Sequence, residues 1–273
     1  MGRSSTGRVV DDRCEFAREC AYTSRGVSRR QGVGSRLFAA IYTTTADEGR
    51  SLLTWSTFDA VPASEAFSIG HDARVGRISR TSEVAIADID WPMVAEWSKA
   101  PRANQHGYTI EFVDGVFPIA LLADAAMFHH IMQTAPRDDL DVGEVIVGPD
   151  FIAELDQHLA ASGRTRWTIF VRDADGNCAG GTEVTFDSYD PRVVHQQNTG
   201  IDPAHRGIGL AKWAKAAMLE RVKLELASVS RITTGNAFSN AAMLAINDEL
   251  GFVVTSVRTE WQLRVASMSD ESD

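Results

Sequence analysis

Cysteine is scarce in this chain, and its three cysteines, Cys14, Cys20 and Cys178, do not lie at the spacing of metal ligands. An odd number of cysteines without a secretory leader is typical of reduced thiols in the cytoplasm rather than of a disulfide framework. We therefore expect a cytoplasmic protein that needs no metal ion.

Long apolar runs and an excess of basic residues are also missing. No stretch approaches the roughly 20 apolar residues that a membrane-spanning helix requires. The net charge is −10 and the sequence pI is about 5.2. Nucleic acid is therefore not expected as a partner, because this polyanion is bound by clustered Lys and Arg, and the lack of a long apolar run means that a membrane is not expected either. The negative charge mildly favours cationic substrates such as amines, although it can equally serve solubility.

The remaining composition is that of a globular protein, and its most informative stretch runs from His195 to Lys215. Hydrophobic residues make up 44% of the 273 residues, which is enough to build a sizeable core. Within that stretch, residues 195–201 have the length of a short strand, and residues 202–209 form a turn rich in Gly and Pro. Apolar residues then recur at helical spacing and predict a helix: Leu210, Trp213, Ala214, Ala217 and Met218.

A strand, a glycine turn and a helix in this order can hold a phosphate group. The first N–H groups of a helix have no partner within the helix, and the helix dipole makes that end positive. Gly207 and Gly209 leave the backbone open to a bulky anion, and Arg206 adds a permanent positive charge. The turn is not a P-loop, since no Gly-Lys-Ser/Thr follows, nor a dinucleotide fingerprint, since Lys212 stands at the third glycine position. Taken alone, the turn also fits a purely structural role.

The same spacing occurs a second time near the start of the chain, where Arg29 to Gly34 repeats the pattern of Arg206 to Ala211. Such an internal repeat indicates two copies of one structural unit. After the first turn we predict an apolar helix with Leu37, Phe38 and Ile41, a strand over 52–58, a short helix over 64–74 and a strand over 78–86.

The first copy has little sequence in front of it. Only 28 residues precede Arg29, and the chain begins with polar and basic residues that show no clear periodicity. Ser24 and Gly26 stand where the second copy has an apolar residue and a proline. Residues 1–88 are therefore predicted to be a truncated, degenerate copy that supports the second one structurally.

The rest of the chain divides into a linker, a complete second copy and a tail. Residues 89–107 are predicted to form a linking helix and a loop, residues 108–265 the second domain, and residues 266–273 a polar tail that frays. The elements predicted in the second domain are a strand over 108–113, helices over 118–134 and 149–162, strands over 166–172, 180–186 and 193–199, the helix from Leu210, a strand over 231–235, a helix over 240–250 and a strand over 252–263.

The closing segment completes a resemblance to a known superfamily. It begins Thr234-Gly235-Asn236-Ala237, carries Asn240, Met243 and Asn247, and ends Leu250-Gly251-Phe252. Together with Ile201-Asp202-Pro203 and Arg206-x-x-Gly209-x-Ala211, it resembles the GNAT N-acetyltransferases. Within them it is similar to the tandem GNAT proteins of actinobacteria, the group that includes mycothiol synthase. The resemblance covers 108–263 and, less well, 20–88. It implies an α/β class protein (an α+β mixed sheet) with the tandem GNAT acyl-CoA N-acyltransferase fold, its first copy truncated.

The resemblance also implies where acetyl-CoA binds. The pantetheine arm is expected between the strand that ends at Ile201 and the strand near Thr233, where Thr199 and Ile201 offer backbone groups. The residues expected to hold the pyrophosphate are Arg206, Gly207, Ile208, Gly209, Leu210 and Ala211. Asn240 is either a ligand of the pantetheine or phosphate region or the N-cap of its helix, a position that Asn favours.

The catalytic residues are less well defined by the resemblance. Many GNAT proteins have a Glu as base seven residues before the Asp-Pro, and His195 stands there; its pKa near neutrality would suit the role. The alternative for His195 is a hydrogen-bonded histidine on a sheet face. Glu183 is the second candidate base, with a solvent-facing carboxylate as its alternative. Asn247 stands near the Tyr that acts as the family's acid, and an amide cannot take that role.

A polar run, Gln196-Gln197-Asn198, precedes the glycine turn. Strand alternation places Gln196 and Asn198 on one face and Gln197 on the other. These amides either contact the acceptor or form a cross-strand amide ladder.

Two functions follow from these observations. The first is an acetyl-CoA-dependent N-acetyltransferase that acts on a small-molecule amine with a site in the C-terminal domain. The second is a non-catalytic acyl-CoA-binding or scaffold protein, which the missing Tyr and the truncated first copy favour. The chain is expected to be a monomer with paired lobes or a homodimer.

Overall fold

The computed structural model describes residues 6–10, 18–21, 31–135, 138–143 and 146–265. Contacts divide the chain into two compact units. Unit 1 is Met1–Arg80, Arg137–Val145 and Ser256–Asp273, and unit 2 is Thr81–Pro136 and Ile146–Thr255.

The regular elements follow in chain order. The strands are β1 (Thr6–Val10), β2 (Arg18–Ala21), β3 (Leu52–Phe58), β4 (Arg74–Ala85), β5 (Thr109–Asp114), β6 (Arg164–Arg172), β7 (Cys178–Asp187), β8 (Val193–Ile201), β9 (Arg231–Ala237) and β10 (Val253–Arg264). The helices are α1 (Val33–Asp47), α2 (Pro62–Ile69), α3 (Trp91–Lys99), α4 (Pro101–Gln105), α5 (Leu122–Met132), α6 (Pro149–Ala161), α7 (Leu210–Glu225) and α8 (Ala241–Glu249).

In unit 2 the strand order is β4-β9-β8-β7-β6-β5. Strands β5 to β8 pair antiparallel, whereas β8 and β9 run parallel because α7 connects them. The turn between β6 and β7 is the predicted hairpin: the Asp173 carboxylate accepts hydrogen bonds from the N–H groups of Asp175 and Asn177, and Gly176 has φ 86°. The sequence of this turn therefore fixes the register of two central strands.

Each face of the unit 2 sheet has its own apolar cluster. On one face, α3 and α7 pack over Trp167, Ile169 and Val184. On the other, α5 and α6 pack over Phe170, which also contacts the rings of Phe117 and Phe128. Alternate residues of β6 thus serve opposite clusters, as strand geometry requires.

Unit 1 has the strand order β2-β1-β3-β10-β4, in which β10 contributes Ser256–Arg264 and β4 contributes Arg74–Arg80. Its small core consists of Phe38 from α1, Leu53 from β3 and Val265. The Trp55 Nε1–H donates to Ser68 Oγ at 2.9 Å, which ties α2 to β3. The acidic loop side chain Asp141 pairs with Arg74 and Arg264.

Most predicted elements are present, with differences where short local signals compete. The second helix is Pro62–Ile69 rather than 64–74, because Pro62 can open a helix and Gly70 closes it, and Arg74 already begins β4. Residues 118–134 form a 3-10 turn, Ile119–Leu121, before α5, and the stretch after Ala100 forms the short helix α4. Strand β1 lies in the N-terminal segment that showed no periodicity.

The units also divide the chain at other positions than the predicted domains. Residues 89–107, predicted to be a linker, belong to unit 2, because Trp91, Met93 and Trp97 pack against its core. The last part of β10, predicted as part of the second domain, belongs to unit 1. The evolutionary domain boundaries therefore remain a prediction.

Several predictions lie outside the described residues. They concern Cys14, Ser24, Gly26, the two arginines Arg29 and Arg30 that open the first glycine turn, and the tail 266–273. Cys20 lies in β2, and only its backbone is described.

Candidate functional site

The glycine turn of unit 2 has the backbone that a helix start requires. Asp202 caps a 3-10 turn, Pro203–His205, by accepting a hydrogen bond from Ala204 N–H at 2.8 Å. Gly207 and Gly209 have φ 89° and 90°. In the part of the chain that the structure describes, no atom beyond the adjoining residues lies within 4 Å of the position that a Cβ would occupy at either glycine. Gly209 directly precedes α7, whose first residue, Leu210, is buried in the core. The N-terminus of α7 is thereby anchored while its backbone approach stays open.

Arg206 is bound to the protein by two of its N–H groups. Its Nε–H donates to Ile201 O at 2.7 Å, and Nη2 donates to Thr134 Oγ1 at 2.8 Å. The guanidinium therefore links the end of β8 to the segment after α5. The neighbouring His205 is held by the Tyr108 hydroxyl, 2.7 Å from its Nδ1. These contacts fix the turn from both sides.

The turn opens onto a cleft of about 410 Å³. The other walls come from the end of α5, the end of β8 and the first turns of α8. Eight of the predicted cofactor-binding residues line the cleft: Thr199, Ile201, Arg206, Gly207, Gly209, Leu210, Ala211 and Asn240. Ile208 does not line it and instead packs against the core. The Asn240 side chain accepts a hydrogen bond from Met243 N–H at 3.3 Å, so it is the N-cap of α8 and also faces the cleft.

Strands β8 and β9 separate where the cleft begins. Their parallel pairing runs from Val193 with Arg231 to Gln196 with Thr234, and both strands continue beyond the last pair. The unpaired ends leave backbone N–H and C=O groups on both sides of a gap. This is the gap that the resemblance implies for the pantetheine arm.

A bulge in β8 changes the predicted orientation of the polar run. Thr182 pairs with Thr199 but Val184 pairs with Gln196, so β8 has one extra residue between these pairs. Gln196 bonds to Thr182 and Thr199, whereas Asn198 bonds to Glu183 and Gln197 to Thr185. The prediction that Gln196 and Asn198 share a face is therefore wrong, because the extra residue breaks the alternation. All three amides make cross-strand hydrogen bonds.

Glycines let the strands approach closely beside the cleft. A Cβ at Gly180 would lie 2.2 Å from Gly200 O, and one at Gly181 would lie 2.3 Å from Ile169 O. A Cβ at Gly200 would lie 2.7 Å from Met132 Sδ of α5. A larger residue at Gly180 or Gly181 requires a shift of the backbone, whereas one at Gly200 requires the Met132 side chain to move.

Glu183 lies in a buried polar cluster and does not face solvent, so the alternative considered for it from sequence is wrong. It is 3% exposed, and its Oε2 accepts a hydrogen bond from Asn198 Nδ2 at 2.9 Å. Arg166 lies 3.7 Å from its Oε1 and pairs with Asp156 at 2.7 Å. Burial is offset here by the opposite charge of the guanidinium. Neither Glu183 nor Asn198 is among the described residues that line the cleft, but Asn198 directly precedes Thr199, which does line it.

His195 lies away from the cleft. Its Nδ1 is 2.9 Å from Thr233 Oγ1, the hydrogen-bonded arrangement considered as its alternative role. Burial, aided by the nearby positive charge of Arg164, lowers the pKa of His195. Thr199 is four residues further along β8, which corresponds to roughly 13 Å of strand. His195 is therefore neutral near pH 7 but poorly placed to reach the cleft.

Sequence reasoning missed several residues of this region. Thr134 gave no signal, because its role as a partner of Arg206 depends on how α5 ends. His129 of α5 has its pKa lowered by burial, an effect that the charge of Glu183 opposes. Lys215 is buried in α7 although it is a lysine, and its Nζ donates to Asn247 Oδ1 at 3.1 Å. A lysine next to the apolar face of α7 was a signal available in the sequence.

Solved structures of known proteins share this fold. A tandem GNAT protein from the clavulanic acid biosynthesis pathway, solved without AcCoA, is 19% identical, with a TM-score of 0.72 over 92% of this chain and 75% of that chain. A GCN5-related N-acetyltransferase from Sphaerobacter thermophilus is 12% identical, with a TM-score of 0.61 over 97% and 79%. One from Kribbella flavida is 14% identical, with a TM-score of 0.58 over 99% and 90%.

This chain therefore has the GNAT fold. The fold class predicted from sequence, a mixed α/β sheet of the tandem GNAT type, is confirmed, while the finer resemblance to mycothiol synthase stays a prediction. No family model and no curated protein sequence matched the chain. Within the described ranges, no three His, Cys, Asp or Glu side chains cluster as metal ligands would. In that same part of the chain, no helix is both long and apolar enough to span a membrane.

Proposed function

We propose that this protein is an acetyl-CoA-dependent N-acetyltransferase that acts on a small-molecule amine in the cytoplasm. The observation that carries the proposal is the cleft at the start of α7. There, two glycines with positive φ lie open next to the N-terminus of a 16-residue helix. A pyrophosphate is an anion that such a helix start binds through backbone N–H groups.

The residues present fit acetyl-CoA along the whole cleft. The N–H groups from Gly207 to Ala211 would hold the pyrophosphate, and the unpaired ends of β8 and β9 would bind the pantetheine arm as an added strand does. Bound acetyl-CoA supplies the activated acyl group. The chain supplies position, which by itself recovers a large part of the barrier for an amine and a thioester held in line.

Glu183 is the base that we favour, and His195 is the weaker candidate. A protonated amine must lose a proton before it can react, and a carboxylate can accept it. Glu183 accepts a hydrogen bond from Asn198, the residue before Thr199 of the cleft wall, whereas His195 is hydrogen-bonded to Thr233 further along the sheet. Asn247 cannot donate a proton as an acid, so the thiolate leaves without one from this position.

A second function, that of a non-catalytic acyl-CoA-binding protein, is supported by Asn247 and by the ion pair that occupies Glu183. One set of measurements separates the two. Calorimetry and a thermal shift with CoA report binding, and acetyl-CoA consumption with a diverse panel of small amines reports transfer. Binding with turnover of at least one amine supports the transferase. Binding without turnover over the whole panel supports the second function, and no binding refutes both.

A further inference from the structure

A lysine lies buried behind the wall of the cleft. Lys215 is 2% exposed, and among the described residues no carboxylate forms an ion pair with it. Burial lowers its pKa from the ordinary value of 10.5 to about 7. Burying an ammonium group without a counter-charge is unfavourable, so an apolar residue would stabilise this helix better. Such a position suggests a functional reason for the lysine.

Lys215 begins a chain of hydrogen bonds through three elements. Its Nζ donates to Asn247 Oδ1 at 3.1 Å, and Asn247 Nδ2 donates to Asn236 Oδ1 at 2.7 Å. Asn247, which lies on α8, is 1% exposed. The chain thus connects α7, α8 and β9, the three elements around the mouth of the gap.

This chain of hydrogen bonds lies immediately next to residues that line the cleft. Ala211 and Met243 line it, and Lys215 and Asn247 follow them by four positions, on the same faces of α7 and α8. Asn236 follows Thr234, the last residue of β9 that pairs with β8, by two positions. The separation of β8 and β9 therefore begins beside this chain.

Unit 1 offers an internal comparison. By the repeat of the glycine turns, Gly32 corresponds to Gly209, and Phe38 follows Gly32 by the same six positions that separate Lys215 from Gly209. Phe38 packs in an apolar core with Trp55 and Phe67. The repeat thus accepts an ordinary aromatic residue at this position in unit 1, whereas unit 2, which contains the cleft at the start of α7, carries a lysine there.

On the basis of the proposed function, we propose that Lys215 is a positioning residue of the acyl-CoA cleft. Through Asn247 and Asn236 it holds α7, α8 and the unpaired end of β9 at the separation that admits the pantetheine arm. This arrangement requires that the amino group of Lys215 be buried, although its burial is unfavourable.

Lys215→Met tests the proposal, since it keeps the apolar stem and removes the donor and the charge. We expect the dissociation constant for CoA, measured by calorimetry, to rise about tenfold while the melting temperature also rises. A merely structural lysine would lose stability and affinity together, and that result would overturn the proposal, as would an unchanged affinity. Lys223→Met is the matched control, because Lys223 is an exposed residue of the same helix that stacks on Trp91.

A second variant distinguishes an effect of the whole chain of hydrogen bonds from a local effect of Lys215. Asn236→Ala removes the last acceptor, and we expect a similar loss of CoA affinity. If the three residues act as a unit, the double variant with Lys215→Met loses no more than either single variant. Fully additive losses would overturn the proposal. If the wild-type chain does not bind CoA, the proposed function itself fails, whereas wild-type binding with unaffected variants overturns this inference alone.

Discussion

The two units each contain a helix that begins at a glycine in the left-handed conformation. Gly32 precedes α1 with φ 73°, and Gly209 precedes α7 with φ 90°. Among the described residues, no atom beyond the two adjoining residues lies within 4 Å of a Cβ placed at either glycine. The backbone at the start of the helix is therefore similar in both units.

The units differ in what lies against the first turn of the helix. In unit 1 the Phe67 ring lies 3.3 Å from the position of a Cβ at Gly34, and it also packs against Phe38 and His71. In unit 2 the corresponding Ala211 faces the cleft. A glycine turn by itself therefore does not leave room for the rest of a ligand. The side chains that pack against the first turn of the following helix decide whether there is room.

The largest expected effect comes from a carboxylate at the second glycine turn. Gly209→Glu places a negative charge against the pyrophosphate; two charges about 4 Å apart at an effective dielectric near 20 repel by about 4 kcal/mol, or roughly a thousandfold in affinity. Calorimetry with acetyl-CoA should show no binding to this variant, and circular dichroism should show that it is folded.

Gly32→Glu is the matched control, since the two glycines share a positive φ and the strain of a side chain there, about 1–2 kcal/mol, is common to both. It should leave binding at one acetyl-CoA per chain. Two equal sites in the wild type, or lost binding in Gly32→Glu, would show that the first turn also binds the ligand. Unchanged affinity in folded Gly209→Glu would refute the assignment of the second turn.

The second effect concerns catalysis, which we expect at the cleft of unit 2. Glu183→Gln removes the proposed base, and general-base catalysis contributes roughly a hundredfold or more to turnover. Steady-state kinetics should show a fall in kcat with little change in the KM for acetyl-CoA. Asp156→Asn is the control, because it also removes a partner of Arg166 but does not contact Asn198. Equal falls in both variants would mean that the ion pair is structural and that Glu183 is not the base.

The third effect tests whether unit 1 has a structural role. A chain that lacks residues 1–80 loses β3, the partner of Arg258–Arg264 in β10, and leaves Trp261 without its hydrogen bond to Thr57. An unpaired apolar strand promotes association. We expect aggregation, or a melting temperature several degrees lower by calorimetry. A soluble truncated protein with the stability and activity of the full chain would show that unit 1 has another role.

The last effect is on stability and depends on pH. Lys215→Met should raise the melting temperature at pH 7 and much less at pH 10. Between a folded-state pKa of about 7 and the ordinary 10.5, the unfolded chain binds a proton that the folded chain does not, so wild-type stability rises with pH across this window. Calorimetry at both pH values measures the difference. An equal gain at pH 7 and pH 10 would show that Lys215 does not titrate in this range.

The sequence was sufficient for the parts of the fold that depend on local pattern. The strand over 52–58, the hairpin at Asp175-Gly176 and the helix from Leu210 follow from periodicity and turn chemistry, and the structure has them at those positions. The early strand Thr6–Val10 was not predicted, because its pairing with β3 is a long-range contact that no local pattern encodes.

The site was predictable only along the glycine turn. Which residues line the cleft opposite the turn depends on how α5 ends, so Thr134 and Met132 were invisible in the sequence. The orientation of Asn198 depends on one extra residue in β8, and a strict alternation cannot anticipate it. The burial of Glu183 depends on Arg166 and Asp156, which come from β6 and α6.

The close approach of β7 and β8 also affects how variation in this chain would be interpreted. A library of all substitutions should find Gly180 and Gly181 among the least tolerant positions, because any side chain there meets a carbonyl oxygen within 2.3 Å. A Cβ at Gly207 would meet no described atom beyond its neighbours within 4 Å, so this position should tolerate Asn or Asp in a screen for solubility and reject them only when ligand binding is selected. A glycine that rejects substitution in both screens would therefore be required by the packing of the sheet. A glycine that rejects substitution only when binding is selected would be required by the ligand.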